Sequence, residues 1–202
     1  MQTAHSLQLT EKNRSADVQE WNARRDDILF RPFAPEDAGQ ILRLYNELSP
    51  KSRSMRFFGR TRNVSRRDLP STRIDRKAHF VWVAIAGERC VAVARWLRIT
   101  PKSSEAEMAI TVHDDYQGRG IGGAMLRLLM RSAVEQGVRR LTACVLAKNE
   151  PVIRILTPFA SEVGRLRWDV LLFAIQLPDT PTSIDAPMPR STSGDPRSPR
   201  GS

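Results

Sequence analysis

Residues 105–130, EAEMAITVHDDYQGRGIGGAMLRLLM, contain the clearest structural pattern of the chain. Its first part alternates between two faces, as in a β-strand, and one face is apolar: Ala106, Met108, Ile110 and Val112. The other face holds Glu105, Glu107, Ala109, Thr111 and His113. Its last part predicts a helix over 120–136, because an apolar stripe recurs at helical spacing through Ile121, Met125, Leu128 and Leu129. A strand, a turn and a helix in this order indicate an α/β protein.

The turn between the strand and the helix, DDYQGRGIGG at 114–123, contains four glycines. Without side chains, the amide N–H groups at the start of the helix can approach an anion closely, and the helix dipole favours negative charge there. Arg119 adds a permanent positive charge. We therefore predict a phosphate or pyrophosphate site, and we keep tight-turn geometry and close helix–sheet packing as the other roles of these glycines. No Gly-Lys-Ser/Thr follows, which excludes a Walker loop.

The remaining patterns complete an α/β domain. Strands are predicted at 28–33, 80–86, 90–99 and 141–147, with one bent strand or two at 167–177. Helices are predicted at 36–48, 51–58 and 151–156. Gly87-Glu88 predicts a tight hairpin between the second and third strands. We expect a mostly antiparallel central sheet with helices on both faces.

The two ends of the chain differ from this domain in composition. Residues 178–202 are dominated by Pro, Ser, Thr and Gly, so we predict a disordered tail in which only Ile184 and Met188 offer much apolar area. Residues 1–27 are predicted to form an extension that is partly ordered at best. The folded domain is therefore predicted to span 28–177.

Composition limits the location and the cofactors of the protein. The 202-residue chain has no apolar run long enough to span a membrane, and its first residues are polar, so we expect a cytoplasmic protein without a membrane partner. Cys90 and Cys144 lie in apolar runs and are predicted to be core thiols. The three histidines have no ligand-like spacing, and we expect no metal site: His5, His79 and His113.

The positive charge of the chain is concentrated in one segment. The whole sequence carries a net charge of +10, and residues 51–77 contain ten Lys or Arg against two acids. A solvated basic face is the simplest interpretation of this basic segment. Attraction to an acidic surface of a partner protein is the sharper hypothesis. Nucleic-acid binding is a third possibility, although we expect Phe57 and Phe58 to pack rather than to stack on bases.

At the glycine turn the sequence resembles a known family. Residues 117–122, QGRGIG, resemble the Gln/Arg-x-x-Gly-x-Gly/Ala acetyl-CoA motif of the GNAT N-acetyltransferase superfamily. The segment RPFAPEDAGQILRLYNELSPKSRSMRFFG, at 31–59, resembles the opening of bacterial protein-lysine acetyltransferases of the Pat type. The similarity covers about 28–157. It implies a sheet of about six to seven strands that is splayed in the middle to admit acetyl-CoA as co-substrate.

The resemblance also implies a role for particular residues. The turn would bind the CoA pyrophosphate through its backbone, and the backbone around Val112 would pair with pantetheine and polarise the thioester carbonyl. Asn149 matches an asparagine that commonly contacts the cofactor in the family. Asn149 also reads as the N-cap of the following helix. The implied cofactor-binding residues are Val112, Gln117, Gly118, Arg119, Gly120, Ile121, Gly122, Gly123 and Asn149.

The predicted chemistry needs a base. A lysine amine has a pKa near 10.4 in water, so a proton must be removed before the nitrogen can attack a thioester. Glu107 is our candidate, because it stands where Pat-type enzymes carry their catalytic glutamate and points away from the apolar face of its strand. Glu105 shares that face and is the alternative. His113, beside the predicted cofactor groove, is kept as a candidate second base.

One departure from the family concerns the general acid. Many GNAT enzymes carry a tyrosine that protonates the leaving thiolate, at the position that Leu156 occupies here. The Gly-Phe that usually follows is Ala160-Ser161. Tyr116 is the nearest tyrosine in sequence, and we expect it to pack or to face solvent.

These observations predict an acetyl-CoA-dependent N-acetyltransferase whose acceptor is a protein lysine. The first alternative is the same chemistry on a small-molecule amine. The second belongs to another class: a non-catalytic acyl-CoA sensor or a nucleic-acid-binding module.

Overall fold

The computed structural model describes residues 27–59, 78–167 and 169–184. Within these residues one mixed sheet contains seven strands: β1 (Ile28–Pro32), β2 (His79–Ala86), β3 (Arg89–Arg98), β4 (Glu105–Val112), β5 (Arg140–Leu146), β6 (Glu162–Arg165) and β7 (Val170–Gln176). Their order across the sheet is β1-β2-β3-β4-β5-β7-β6. All neighbouring strands run antiparallel except β4 and β5, which run parallel.

Four α-helices connect the strands of the described chain: α1 (Ala38–Glu47), α2 (Pro50–Phe57), α3 (Ile121–Glu135) and α4 (Glu150–Leu156). A short 3₁₀ turn, Pro35–Asp37, leads into α1. The start of α2 follows from its sequence, because Ser49 accepts a hydrogen bond from the amide of Ser52 and Pro50 occupies the first helical position. The helix ends at Phe58, whose left-handed backbone (φ 53°) reverses the chain.

The helices cover both faces of the sheet, as predicted. On one face, α1 packs its apolar stripe on β2 and β3, around Ile41, Leu44, Tyr45, Val83 and Val93. On the other face, α3 is buried along most of its length against a larger core that includes Trp82, Trp96, Met108, Leu141 and Phe173. The indole N–H of Trp96 donates to the hydroxyl of Ser132 on α3 over 3.1 Å, so this aromatic side chain is buried with its polar group satisfied.

The sheet opens in its middle, between its two parallel strands. β4 and β5 are paired at only three positions: Glu105 with Arg140, Ala106 with Leu141, and Glu107 with Thr142. Beyond Glu107 the two strands no longer pair, although β4 continues to Val112 and β5 to Leu146. The splayed sheet expected from the family resemblance is therefore present.

The predicted elements agree with the structure except near the end of the chain. The predicted strands and helices up to residue 156 are all present, with boundaries shifted by a few residues. The last segment forms two strands, and the first of them, β6, begins before the predicted stretch. All four residues of β6 are exposed, and their sequence shows no apolar alternation that could have predicted a strand. The prediction of a disordered tail from residue 178 is wrong for residues 178–184. Pro181–Ile184 form a 3₁₀ turn, and the side chain of Ile184 is buried against the core.

The prediction of two core thiols is half wrong. Cys90 is buried beneath α1, and burial raises the pKa of its thiol to about 12. Cys144 is exposed. Cys144 lies on β5, beyond the last residue that pairs with β4. The helix α1 covers β2 and β3, which lie on the other side of β4 from β5.

Several predictions concern parts of the chain outside the described residues. These are the extension up to residue 26, the basic segment from 60 to 77 and the tail from 185 onward. Among the described helices, none has the length and apolar character needed to cross a membrane.

Candidate active site

The opening in the sheet is lined by unpaired backbone of β4. Odd-numbered residues of β4 bond to β3: the carbonyl of Glu105 accepts from Ile99 and the amide of His113 donates to Val91. Backbone groups alternate in direction along an antiparallel strand, so those of Met108, Ile110 and Val112 point to the other side. On that side the pairing with β5 has already ended at Glu107. The sheet thus presents strand donors and acceptors to whatever occupies the gap.

The helix that follows β4 begins beside this opening without a capping side chain. Its N-cap is Gly120, whose left-handed backbone (φ 77°) suits glycine, and no side chain satisfies the first amides of α3. Gly118 is also left-handed, at φ 73°. Ile121 anchors the first turn, with 1% of its surface exposed. The turn therefore presents free amides and a positive helix end, as expected for an anion site.

Gly122 brings this helix start close to the opening. A Cβ atom on Gly122 would lie 2.9 Å from Cδ1 of Ile155 on α4 and 3.9 Å from Cγ2 of Val112 on β4. A side chain there would push against α4. A Cβ on Gly123 meets nothing within 4 Å. Gly122 thus has the packing role considered for these glycines, while anion binding by the turn stays a prediction.

Two polar side chains of the turn differ in position: Gln117 contacts the end of β4, and Arg119 lies on the surface. The amide nitrogen of Gln117 donates to the carbonyl of Val112 over 3.1 Å, which ties the turn to the end of β4. The guanidinium of Arg119 lies 4.9 Å from the ring centroid of Tyr116 and is exposed. Tyr116 packs against the core, in agreement with the prediction that it packs or faces solvent.

Asn149 lies at the first residue before α4, as its N-cap. Its backbone carbonyl accepts from Ile153 and its amide donates to Leu146. Its side chain makes no capping hydrogen bond. The half-buried carboxamide is therefore not committed to the helix.

Glu107 is the last residue of β4 that pairs with β5, and its side chain is exposed. It shares a face of the sheet with its partner Thr142 and with Cys144 two residues further along β5. Glu105 lies on the same face, next to its partner Arg140 on β5. Arg140 forms an ion pair with Glu162 of β6, across the intervening strand β7. Glu107 thus stands where the opening starts, whereas Glu105 stands where the two strands are still paired.

His113 is occupied by structural contacts. Its ring is buried, with Nε2 2.7 Å from a guanidinium nitrogen of Arg89 and Nδ1 3.6 Å from a carboxylate oxygen of Asp115. The backbone amide of Asp115 donates to Nδ1 over 3.3 Å, so this ring caps the short 3₁₀ turn that follows β4. These contacts favour a structural role over that of a second base.

A polar network that the sequence did not predict holds the turn to α2. The carboxylate of Asp114 accepts from the amide and hydroxyl of Ser49, at 2.9 and 2.8 Å, and from the hydroxyl of Ser52 at 2.6 Å. Burial works to raise the pKa of Asp114, but the hydrogen bonds from Ser52 and Ser49 outweigh it and lower that pKa. The amide of Gln117 reaches the Ser52 hydroxyl over 3.4 Å. The spacing Ser49-x-x-Ser52, a helix-capping pattern, was the available signal.

No general acid appears at the position where many relatives carry a tyrosine. Leu156 is buried in the core with 1% of its surface exposed. Within the described ranges, no three His, Cys, Asp or Glu side chains are grouped to hold a metal ion, and the expectation of no metal site stays a prediction.

A family model described as the acetyltransferase (GNAT) family matches residues 40–157. The chain therefore belongs to the GNAT acetyltransferase family, which confirms the resemblance seen in the sequence. Acetyltransferase Pat of Mycolicibacterium smegmatis is 34% identical over 156 residues, which are 76% of this chain and 46% of that protein. The chain thus spans about half the length of this relative.

Solved structures agree with this assignment. The GNAT domain of S. lividans PAT superposes with a TM-score of 0.67 at 29% identity, covering 73% of this chain and 89% of that one. Salmonella typhimurium yncA, solved with its cofactor acetyl-CoA, has a TM-score of 0.64 at 18% identity, covering 80% of this chain and 98% of that one. The predicted α/β fold of the GNAT type is confirmed.

Proposed function

We propose that the protein is an acetyl-CoA-dependent N-acetyltransferase that acts on lysine side chains of cytoplasmic proteins, with Glu107 as general base. The observation that carries the proposal is the opening between β4 and β5. It starts directly after Glu107 and ends beside the uncapped start of α3. Pat, the relative at 34% identity, supports a protein lysine as acceptor through the Pat-type resemblance.

Acetyl-CoA fits the residues around this opening. Free amides at Gly120, Ile121, Gly122 and Gly123, with Gly118 and Arg119 before them, suit a pyrophosphate. The strand edge from Met108 to the amide of Val112 suits the amide groups of pantetheine. Gln117, whose side-chain amide donates to the Val112 carbonyl, and Asn149, whose side chain makes no capping hydrogen bond, lie at either side. When bound, acetyl-CoA supplies the thioester from which the acetyl group is transferred.

Glu107 would remove the proton that the attacking amine must lose. Its exposed carboxylate lies at the start of the opening and on the face away from α3, so an acceptor can approach it from solvent. The proton passes to the carboxylate directly or through a water molecule. Backbone N–H groups of β4 near Val112 would stabilise negative charge on the carbonyl oxygen. With Leu156 buried, water is the proposed proton source for the leaving thiolate.

Replacing Glu107 by Gln tests the base. Because general base catalysis contributes roughly a hundredfold or more, we expect Glu107→Gln to lower kcat at least about tenfold while CoA binding, measured by calorimetry, stays nearly unchanged. Glu105→Gln is the matched control, since it removes the same charge from the same face two residues earlier. Equal turnover in the wild type and Glu107→Gln would remove Glu107 from the mechanism.

Labelled acetyl-CoA tests the acceptor class. Incubation with lysate proteins and with a panel of small amines should place the label in protein lysines. Label found only in small amines would end the protein-lysine assignment and leave the acetyltransferase intact. If calorimetry detects no heat from acetyl-CoA or CoA at millimolar concentration, the protein is not this enzyme.

A further inference from the structure

Two arginines lie close together on the face of the sheet that carries Glu107. Arg95 on β3 pairs with Ala109 on β4, so its side chain emerges on the same side as Glu107 and Thr111. Ala109 has only a methyl group to offer there, which leaves room above β4 for the longer side chain. Arg56 approaches the same place from α2, with its Nε donating to the hydroxyl of Thr111 over 3.0 Å.

The Arg56 guanidinium is held in place by aromatic rings as well. Its carbon atom lies 5.8 Å from the ring centroid of Tyr45 and 5.2 Å from that of Phe57. Aromatic faces hold a guanidinium by cation–π attraction and leave its outer N–H groups free to bind elsewhere. Arg56 is therefore oriented before any partner arrives.

Within the described chain, the positive charge of this pair is only partly offset, by the Glu107 carboxylate on the same face. Neither guanidinium forms an ion pair there, and Arg95 donates no side-chain hydrogen bond. Burial, and then the charge of Arg56, lower the pKa of Arg95, while Tyr45 and Glu107 act in the opposite direction. Two partly buried like charges gain stability when an anion binds between them.

We propose that Arg56 and Arg95 bind a carboxylate of the acceptor, so that the enzyme selects lysines with an aspartate or glutamate nearby in the peptide. The inference rests on the proposed function, because it takes Glu107 as the place where the amine reacts. Along β4, Ala109 and Thr111 lie roughly 7 and 13 Å from Glu107 at 3.3 Å per residue. A carboxylate one to three residues away from the target lysine spans such a distance in an extended peptide.

Paired peptides test this preference with the full chain. Each pair contains one lysine and differs by Asp against Asn, or Glu against Gln, at one position from three before to three after the lysine. We expect kcat/KM to be at least about tenfold higher for the acidic peptide at one or more positions, because charged hydrogen bonds are the stronger ones. A ratio near one at every position would overturn the proposal.

Arginine variants assign the preference to this site. Arg95→Gln and Arg56→Gln should each bring the ratio of acidic to neutral peptide close to one. Arg43→Gln is the matched control, since it removes an equal charge from an exposed position of α1 and should keep the wild-type ratio. A preference that survives in both site variants would place the carboxylate elsewhere and overturn the assignment. Thermal melts of both variants show whether each one remains folded.

A binding measurement separates this inference from the proposed function. The same peptides with acetyl-lysine in place of lysine cannot react, and calorimetry gives their affinity. Tighter binding of the acidic member that is lost in Arg95→Gln supports the carboxylate site even if no protein lysine is ever labelled. Labelled lysines without any acidic preference in rate or affinity would support the proposed function and sink the inference.

Discussion

At the scale of single residues, hydrogen bonds to Asp114 connect the turn beside the opening to the start of α2. The carboxylate accepts three of them from Ser49 and Ser52, and Gln117 joins the same network through Ser52. The turn that would hold the pyrophosphate therefore depends on α2 for its position. A substitution at Asp114 should change the turn without touching any atom of the proposed cofactor.

Asp114→Asn should lower the free energy of unfolding by about 1–3 kcal/mol at pH 7, because a charged acceptor of several hydrogen bonds is lost. The folded pKa of Asp114 lies below its unfolded value, which is near 3.9. Its contribution is therefore fully present above that unfolded value and is lost as the pH falls through the folded pKa. Urea unfolding of both proteins from pH 7 to pH 3 should show the difference shrinking at the acid end. A constant difference over this range would contradict the pH dependence.

The sequence predicted the residues of the turn but not the partners of single side chains. Alternation along β4 placed Glu107 and Thr111 on one face, and the structure agrees. Alternation along β3 cannot say that Arg56 arrives above Arg95, because this depends on how α2 crosses the sheet. Cys144 was misjudged for the same reason: its exposure depends on where β4 leaves β5.

At the scale of elements, the start of α3 combines two demands that different glycines meet. Gly118 and Gly120 supply left-handed backbone, while Gly122 permits contact with α4. Gly123 has an ordinary helical position and open space around it. The stability of the α3 start and its proposed role in binding CoA can therefore be separated by adding one methyl group at Gly123.

Gly123→Ala should stabilise the fold by about 0.5–1 kcal/mol, since alanine is preferred over glycine inside a helix. It should also weaken CoA binding, because the methyl group hinders the close approach of the pyrophosphate to the amides. Gly118→Ala is the comparison, and we expect it to destabilise the fold by about 1–2 kcal/mol through its left-handed backbone. Unfolding curves and CoA calorimetry measure both effects. Unchanged CoA affinity in Gly123→Ala would argue that this amide lies away from the pyrophosphate.

Longer elements were predictable from periodicity, and short polar ones were not. The helix over Ile121–Glu135 and the strands β2 to β5 carry clear apolar patterns. The four exposed residues of β6 carry none, and they form a strand only because β7 offers an edge to pair with. The 3₁₀ turn at Pro181–Ile184 exists because Ile184 finds a place in the core beside α3.

At the scale of the whole molecule, the sheet consists of two parts that share only a short parallel ladder. One part contains β1 to β4, and the other contains β5 to β7. The helix α3 packs against the same face of both parts. Acetyl-CoA in the opening would bridge the two parts through the free edge of β4. This gives a direct test in which every second residue of one strand should respond.

Amide hydrogen exchange should distinguish the two sets of β4 residues. Without ligand, the amides of Met108, Ile110 and Val112 should exchange quickly, because no strand pairs with them beyond Glu107. Those of Ala109, Thr111 and His113 bond to β3 and should be protected. Saturating CoA should slow exchange in the first set. Equal protection of both sets without ligand, measured by NMR, would show that the opening is closed in solution.

The strand order has a consequence for synthesis on the ribosome. β7 lies between β5 and β6 although it is made after both, and β4 protects only the first residues of β5. At roughly 5–20 residues per second, β5 waits for seconds with most of both edges bare. Bare strand edges recruit other chains. Prematurely terminated chains that end between residues 147 and 170 should therefore be the form of this protein most prone to aggregate.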